Sequence, residues 1–77
     1  MKLFLISQDA NNGYDTYSCA VVCCESEIEA KNMRPDFPDS SGDASLNWVW
    51  PEFVSVIYLG ETIILEKSVI CASFHAG

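Results

Sequence analysis

The hydrophobic pattern of residues 16–35 changes abruptly, and this change constrains the fold more than any other feature of the sequence. Residues 16–24, TYSCAVVCC, are rich in β-branched and small apolar side chains, which is typical of a strand. Ser26 and Glu29 then have the spacing of a capping box, in which two side chains satisfy free N–H groups at the start of a helix. Pro35 ends that helix. The sequence therefore predicts a strand that runs directly into a short helix of about three turns at most.

Three further strands are predicted around this unit. The apolar run at residues 3–6 predicts a first strand that is buried on both faces or nearly so, and Asn11, Asn12 and Gly13 predict the hairpin turn to the second. Two later strands are expected at residues 53–60 and 68–74. We therefore predict one α+β domain over residues 1–77, with the order β-β-α-β-β, a mostly antiparallel four-stranded sheet and one short helix packed on one face.

The connecting segments carry expectations of their own. Ile28, Ala30 and Met33 are predicted to form a narrow apolar face on the helix. Residues 63–65, IIL, are expected to lie against the body of the domain. Residues 35–47 are rich in Pro, Asp, Ser and Gly and predict a long acidic loop. Loops of this length in small domains are commonly functional or disordered.

The charge of the chain excludes one class of function. Eleven acidic residues against four Lys and Arg give a net charge of −7, and six of the eleven carboxylates fall in residues 25–47. Phosphate contacts need cations, so direct binding to nucleic acid is not expected. The charge indicates a partner with a basic surface instead.

The size and hydrophobicity of the chain bear on its assembly and location. A domain of 77 residues often relies on disulfides, a metal or self-association, and 49% hydrophobic residues can leave an apolar patch beyond the core, so a homodimer is a candidate state. Neither a secretion signal nor a run long enough for a membrane span is visible. We therefore expect a cytoplasmic protein with reduced thiols and no membrane partner.

The four cysteines raise the question of a metal or redox site. Alternation along a strand makes the side chains of Cys23 and Cys24 point apart, and the C-x-x-C spacing of zinc sites is absent. We therefore predict buried structural thiols, with no metal and no cofactor. One alternative remains, in which Cys71 and His75 join Cys19 or Cys23 on a neighbouring strand and an acidic residue supplies a fourth ligand.

Catalytic chemistry finds little support in the sequence. The motifs of nucleotide-binding loops, serine hydrolases and zinc proteases are absent. Glu25, Glu27 and Glu29 are explained by helix capping, and a nucleophilic Cys71–His75 pair lacks the electropositive surroundings that a thiolate needs. We predict that the protein is not an enzyme and has no catalytic residues. His75 is expected to be a solvent-exposed residue of the C-terminal tail.

Large aromatic residues beside turns and loops are better candidates for function. Trp48, Trp50 and Tyr14 belong to the residue types that dominate binding hot spots. A tryptophan can equally well close the core between a loop and a strand. We expect Trp48 and Trp50 to divide these two roles between them.

Three stretches together resemble a group of small, acidic, mostly uncharacterised phage and prophage proteins: NNGYDTY, the strand-to-helix junction VVCCESEIEA, and the C-terminal ASFHAG. The resemblance covers most of the chain outside the acidic loop. It implies a phage context, in which small acidic proteins are often counter-defence factors, anti-CRISPR proteins among them. Such proteins typically bind a host effector and block its nucleic-acid groove, sometimes with carboxylates that stand in for phosphates. The resemblance brings no catalytic residues.

The leading functional hypothesis is an inhibitor that binds a basic host protein in the bacterial cytoplasm. Its predicted partner-binding residues are those of the acidic helix and loop together with the tryptophans: Glu27, Asp36, Asp39, Asp43, Trp48 and Trp50. A second hypothesis is a small-ligand binder that sequesters a nucleotide between subunits, with Tyr14 and a tryptophan stacked on the base, although four cations are few for phosphates. A third is a structural domain whose strand edges pair into a dimer.

Overall fold

The computed structural model describes residues 1–11, 16–37 and 48–75, and within these ranges it has the predicted architecture. The strands are β1 (Lys2–Ser7), β2 (Thr16–Cys24), β3 (Ser55–Glu61) and β4 (Ser68–His75). The helix α1 (Glu27–Lys31) follows β2, and a 3₁₀ turn (Pro51–Phe53) precedes β3. The four strands form one sheet in the order β3-β1-β2-β4, and every neighbouring pair is antiparallel. The α+β prediction, with one short helix on one face of the sheet, is confirmed.

The core lies between α1 and one face of the sheet. Phe4 and Ile6 of β1 and Val22 of β2 are buried there, which is one of the two alternating sets of side chains in each strand. The segments around α1 and β3 close this layer. In the described part of the chain, ten buried hydrophobic residues form one cluster: Phe4, Ile6, Ala20, Val22, Cys24, Ala30, Met33, Trp48, Val49 and Val54. Cys23 is also buried but lies outside this cluster. Leu3 and Leu5, on the other face of β1, are only partly buried. The prediction that β1 is nearly buried on both faces is therefore wrong for one face.

The start of α1 has the predicted cap. Oγ of Ser26 accepts a hydrogen bond from the N–H of Glu29 at 3.1 Å, and Oε1 of Glu29 accepts one from the N–H of Glu25 at 3.0 Å. The helix ends after five residues because the side-chain amide of Asn32 donates to the carbonyl of Ile28 at 2.9 Å. Pro35 therefore follows the helix end by four positions.

The helix does not have the apolar face that the sequence indicates. Ala30 and Met33 are buried, but Ile28 is 77% exposed. Successive helical residues are rotated by about 100°, so Ile28 and Ala30 lie on nearly opposite sides of so short a helix. The prediction for Ile28 is wrong, because one turn can bury only one side against the sheet.

The connection between β3 and β4 also differs from the prediction. Ile63 is 95% exposed and Leu65 is nearly as exposed, so the prediction is wrong for these two residues, whereas Ile64 is 38% exposed and is more than half covered. The two strands occupy opposite edges of the sheet, so this connection crosses the ends of β1 and β2, where the N–H of Thr62 donates to the carbonyl of Met1 at 3.0 Å. The connection crosses three strand spacings of about 4.8 Å along the end of the sheet, and Ile63 and Leu65 project from it into solvent.

Candidate protein-binding site

The segment from Trp50 to Phe53 presents two large aromatic side chains to solvent, and we call this segment the aromatic ridge. Trp50 is 51% exposed, and Phe53 is exposed to a similar extent. Single exposed apolar residues are common on protein surfaces, whereas two large aromatic residues three positions apart on one turn are a concentrated apolar surface.

Backbone hydrogen bonds hold the ridge in one conformation. The N–H of Phe53 donates to the carbonyl of Trp50 at 2.9 Å, and the N–H of Val54 donates to the carbonyl of Pro51 at 3.0 Å. Pro51 stands at the first position of the turn, where its fixed φ suits the 3₁₀ conformation. A surface ordered in this way loses little conformational entropy when it binds.

Trp48 anchors the ridge in the core. It is 1% exposed and belongs to the hydrophobic cluster under α1. The side-chain amide of Asn11 donates to the carbonyl of Trp48 at 2.9 Å. Asn11 is itself fixed by Gln8, whose Oε1 accepts from the N–H of Asn11 at 2.7 Å and whose Nε2 donates to the carbonyl of Tyr17 at 2.8 Å. The end of β1 thus positions the aromatic segment.

Sequence reasoning missed three of these residues. Phe53 falls within the strand that the sequence predicts at residues 53–60. In the structure it belongs to the 3₁₀ turn that begins at Pro51, and this turn exposes its side chain. Gln8 and Asn11 are polar residues at the end of a strand and in a turn. Gln8 differs from a surface glutamine only in being buried. Its burial depends on how the strands pack together, which the sequence does not show.

Two shallow grooves flank Trp50. One has a volume of about 220 Å³ and lies between the end of α1 and the ridge, with Lys31 and Asn32 on its α1 side. The other, also about 220 Å³, lies between Asn11 and Phe53. Both are smaller than the 300–1,000 Å³ or so that is usual for small-molecule sites. The surface therefore suits a partner that covers the ridge better than a ligand enclosed by it.

The predicted acidic residues are placed differently from one another. Glu27 is exposed in the first turn of α1. Asp36 is partly buried, and its Oδ2 is 3.1 Å from Nη2 of Arg34, so this carboxylate is engaged within the protein. Asp39 and Asp43 lie outside the described residues, as do Tyr14 and most of the predicted acidic loop. Glu52, next to Trp50, is exposed and adds a carboxylate to the ridge.

The cysteines are buried only in part. Cys23 and Cys24 are fully buried, Cys19 is intermediate, and Cys71 is exposed, so the prediction of burial is wrong for Cys71. Burial raises the pKa of the Cys24 thiol above its ordinary value of 9.0, and the charge of Glu29 acts in the same direction. The Cys23 Sγ lies 3.7 Å from Sδ of Met1 and 3.9 Å from the carbonyl of Ile64.

The alternative metal site needed β2 and β4 to be neighbours, and they are. Cys71 lies opposite Val21, and His75 lies opposite Thr16 as the last residue of β4 rather than in a tail. Among the described side chains of residues 1–11, 16–37 and 48–73, no three His, Cys, Asp or Glu residues are grouped so that they could hold a metal ion.

The four thiols are expected to react at very different rates. In dilute protein at pH 8, iodoacetamide should alkylate Cys71 first and Cys23 and Cys24 at least about tenfold more slowly, because burial excludes the reagent and a raised pKa lowers the thiolate fraction of Cys24. Peptide mass spectrometry of timed samples measures this order. Equal rates at all four positions in the folded protein would contradict the burial.

The same pKa shift predicts how stability depends on pH. The pKa of Cys24 is higher in the folded than in the unfolded chain, so its contribution to stability is fully present below pH 9.0 and is lost as pH rises through the folded value.

Comparison with known proteins identifies no relative. No protein-family model, no curated protein and no solved structure matches the chain. In the described part of the chain, no helix is long and apolar enough to cross a membrane.

Proposed function

We propose that this protein is a non-catalytic binding protein that uses the aromatic ridge to bind another protein. The single observation that supports this most is the exposure of Trp50 and Phe53 on a turn that is hydrogen-bonded and anchored through buried Trp48. Tryptophan is the most enriched residue in binding hot spots, and an ordered surface pays less to bind.

The charge of the protein supports a basic partner. Glu52 lies on the ridge, Glu25 and Glu27 are exposed at the start of α1, and the net charge is −7. A negative electrostatic field around the protein speeds its encounter with a positively charged surface and disfavours negatively charged partners. Asp36 contributes less than the sequence suggests, because Arg34 pairs with it.

The resemblance to small acidic phage proteins supports a narrower proposal. In that context the partner is a host defence effector in the bacterial cytoplasm, and the protein inhibits it by covering a basic, nucleic-acid-binding surface, as anti-CRISPR proteins do. The acidic residues at 39 and 43 remain part of this proposal.

The test is a comparative capture from a bacterial lysate. Tagged wild-type protein and the Trp50→Ala variant are used as bait, and retained proteins are quantified by mass spectrometry. We expect a basic protein on the wild type and a loss of at least about 2 kcal/mol in binding, or about 30-fold in affinity, for Trp50→Ala. Ile28→Ala is the matched control, because Ile28 is an exposed apolar residue outside the ridge.

Two outcomes would contradict the proposal. One is retention of the same proteins in equal amounts by the wild type and Trp50→Ala. The other is a partner whose binding is lost with Ile28→Ala and kept with Trp50→Ala. Charge reversal by Glu27→Lys separates the electrostatic part, since a surface charge acts mainly on the association rate and its dependence on salt.

A further inference from the structure

One face of the sheet is uncovered except at the end near Cys23, which Met1 and the β3–β4 connection cover. Alternation places Leu5 of β1 and Val21 of β2 on the face opposite α1, because their neighbours Ile6 and Val22 are buried under the helix side. Ile57 of β3 and Cys71 of β4 are paired with them across the strands and therefore share this face. We call this surface the open face. It lies on the opposite side of the sheet from the layer that carries the aromatic ridge.

The described strand positions of the open face carry no charge: its central row, Ile57, Leu5, Val21 and Cys71, is apolar, and the next row consists of Ser55, Ser7, Cys19 and Ser73. Ile57 is 54% exposed, and the β3–β4 connection adds the exposed residues Ile63 and Leu65 at the end of the face where it contacts Cys23. Ile57, Ile63 and Leu65 are each more than half exposed, and this is the apolar surface that a second copy would cover.

Along the central row of the open face, the side chains of the two halves differ in size and complement each other. One row of residues runs straight across the sheet in the order Ile57, Leu5, Val21, Cys71. Its large side chains therefore lie on β3 and β1, and its smaller ones on β2 and β4. A two-fold axis parallel to the strands, between β1 and β2, sets the large half of one copy over the small half of another. Ile57 then faces Cys71 of the second copy, and Leu5 faces its Val21.

We propose that the open face is the interface of a two-fold homodimer in which the sheets of two copies pack face to face. The absence of charge at these positions favours a second copy, because two chains of net charge −7 can meet there without bringing like charges together. A basic partner would find no carboxylate on these strand positions. Packed sheets lie about 10 Å apart, a separation that Leu, Ile and Val side chains fill.

The first test is the oligomeric state. Sedimentation equilibrium of the untagged full chain, from micromolar to millimolar concentration, should give twice the mass of the 77-residue monomer. Ile57→Lys and Cys71→Lys should each raise the dimer dissociation constant at least about 100-fold, because each buries a charge in the interface. Ile28→Lys makes the same change of charge at an exposed apolar residue outside the open face and should leave the dimer intact. Circular dichroism checks that all three variants are folded.

A cross-link tests the geometry. In one chain, positions 57 and 71 are three strands apart, or about 14 Å, whereas between copies they face each other at about 10 Å. A mixture of ¹⁴N- and ¹⁵N-labelled Ile57→Cys protein, treated with a short bismaleimide, should give 57–71 peptides of mixed isotope content. Alkylation of Cys71 should also slow as protein concentration rises.

The outcomes that would overturn the proposal are distinct from those for the ridge. A wild-type protein that stays monomeric at all concentrations overturns it, whether or not another protein covers the face. So does a dimer that survives both lysine variants and gives no mixed 57–71 cross-link, since that dimer pairs through strand edges. Neither result depends on Trp50.

Discussion

Replacing Trp48 with alanine should remove a large part of the stability of the domain. Trp48 is almost fully buried in the hydrophobic cluster, and a buried Trp→Ala substitution costs about 3–5 kcal/mol through lost apolar burial and the cavity left behind. A domain of 77 residues has a total stability of roughly 4–12 kcal/mol at typical values per residue. Urea unfolding followed by circular dichroism, with the free energy extrapolated to water, measures the effect.

Trp50→Ala is the matched control for this prediction. It removes the same side chain two positions away, from a half-exposed site, and should lower the free energy of unfolding by much less than Trp48→Ala does. The two substitutions thus separate a core tryptophan from a surface tryptophan. Equal losses of stability for both would show that Trp50 is also part of the core and would remove the basis for the aromatic ridge.

Two neighbouring residues of β1, Leu5 and Ile6, should respond differently to substitution by aspartate. Ile6→Asp places a carboxylate in the core beneath α1, where Ile6 has no exposure, and should prevent folding at ordinary temperature. Leu5→Asp places it on the open face, where water reaches it in the monomer, so that variant should stay folded and lose the dimer. Heteronuclear NMR spectra of the two variants show which one keeps dispersed amide signals.

This pair tests the register of the sheet, because a shift of one residue exchanges the two faces of a strand. The register makes Leu5 the partner of Val21 and Ile57, and Ile6 the partner of Ala20 and Val56. A folded Ile6→Asp protein together with an unfolded Leu5→Asp protein would reverse the assignment of faces and contradict both the core and the open face.

Local patterns in the sequence were enough to predict the elements and their order. The bounds predicted for β2 agree with the structure, because β-branched and small apolar residues lead directly to the cap at Ser26. The short connections between predicted strands were enough to predict an antiparallel sheet. The strand order β3-β1-β2-β4 did not follow, because it depends on which edges the two later strands join and no local pattern records that.

The errors came from features that depend on tertiary packing. Ile28 and Ile63 are apolar, and the sequence alone gives no reason to leave them in solvent. Ile28 is exposed because α1 is a single turn, and Ile63 is exposed because residues 62–67 cross the end of the sheet. The sequence also predicts that one of Trp48 and Trp50 lies in the core and the other at the surface, but it does not indicate which. That depends on the conformation of the segment that leads into the 3₁₀ turn at Pro51.

The aromatic ridge and the open face give the two proposals a common consequence. They belong to opposite sides of the sheet, so a dimer closed through the open face carries two ridges on its outer layers. Such a dimer can engage two copies of a partner, or two sites on one partner, and gains avidity where the spacing allows both contacts. Loss of the dimer through Ile57→Lys should then weaken binding less than loss of Trp50 does.

The most direct test of the proposed function uses the two indole N–H signals of the ¹⁵N-labelled protein. They are assigned with single Trp→Phe variants and followed as the basic protein recovered in the capture experiment is added. We predict that the signal of Trp50 shifts or broadens at substoichiometric partner, while that of buried Trp48 changes much less. An unchanged Trp50 signal, with changes confined to Ile57 and its neighbours on the open face, would contradict the account.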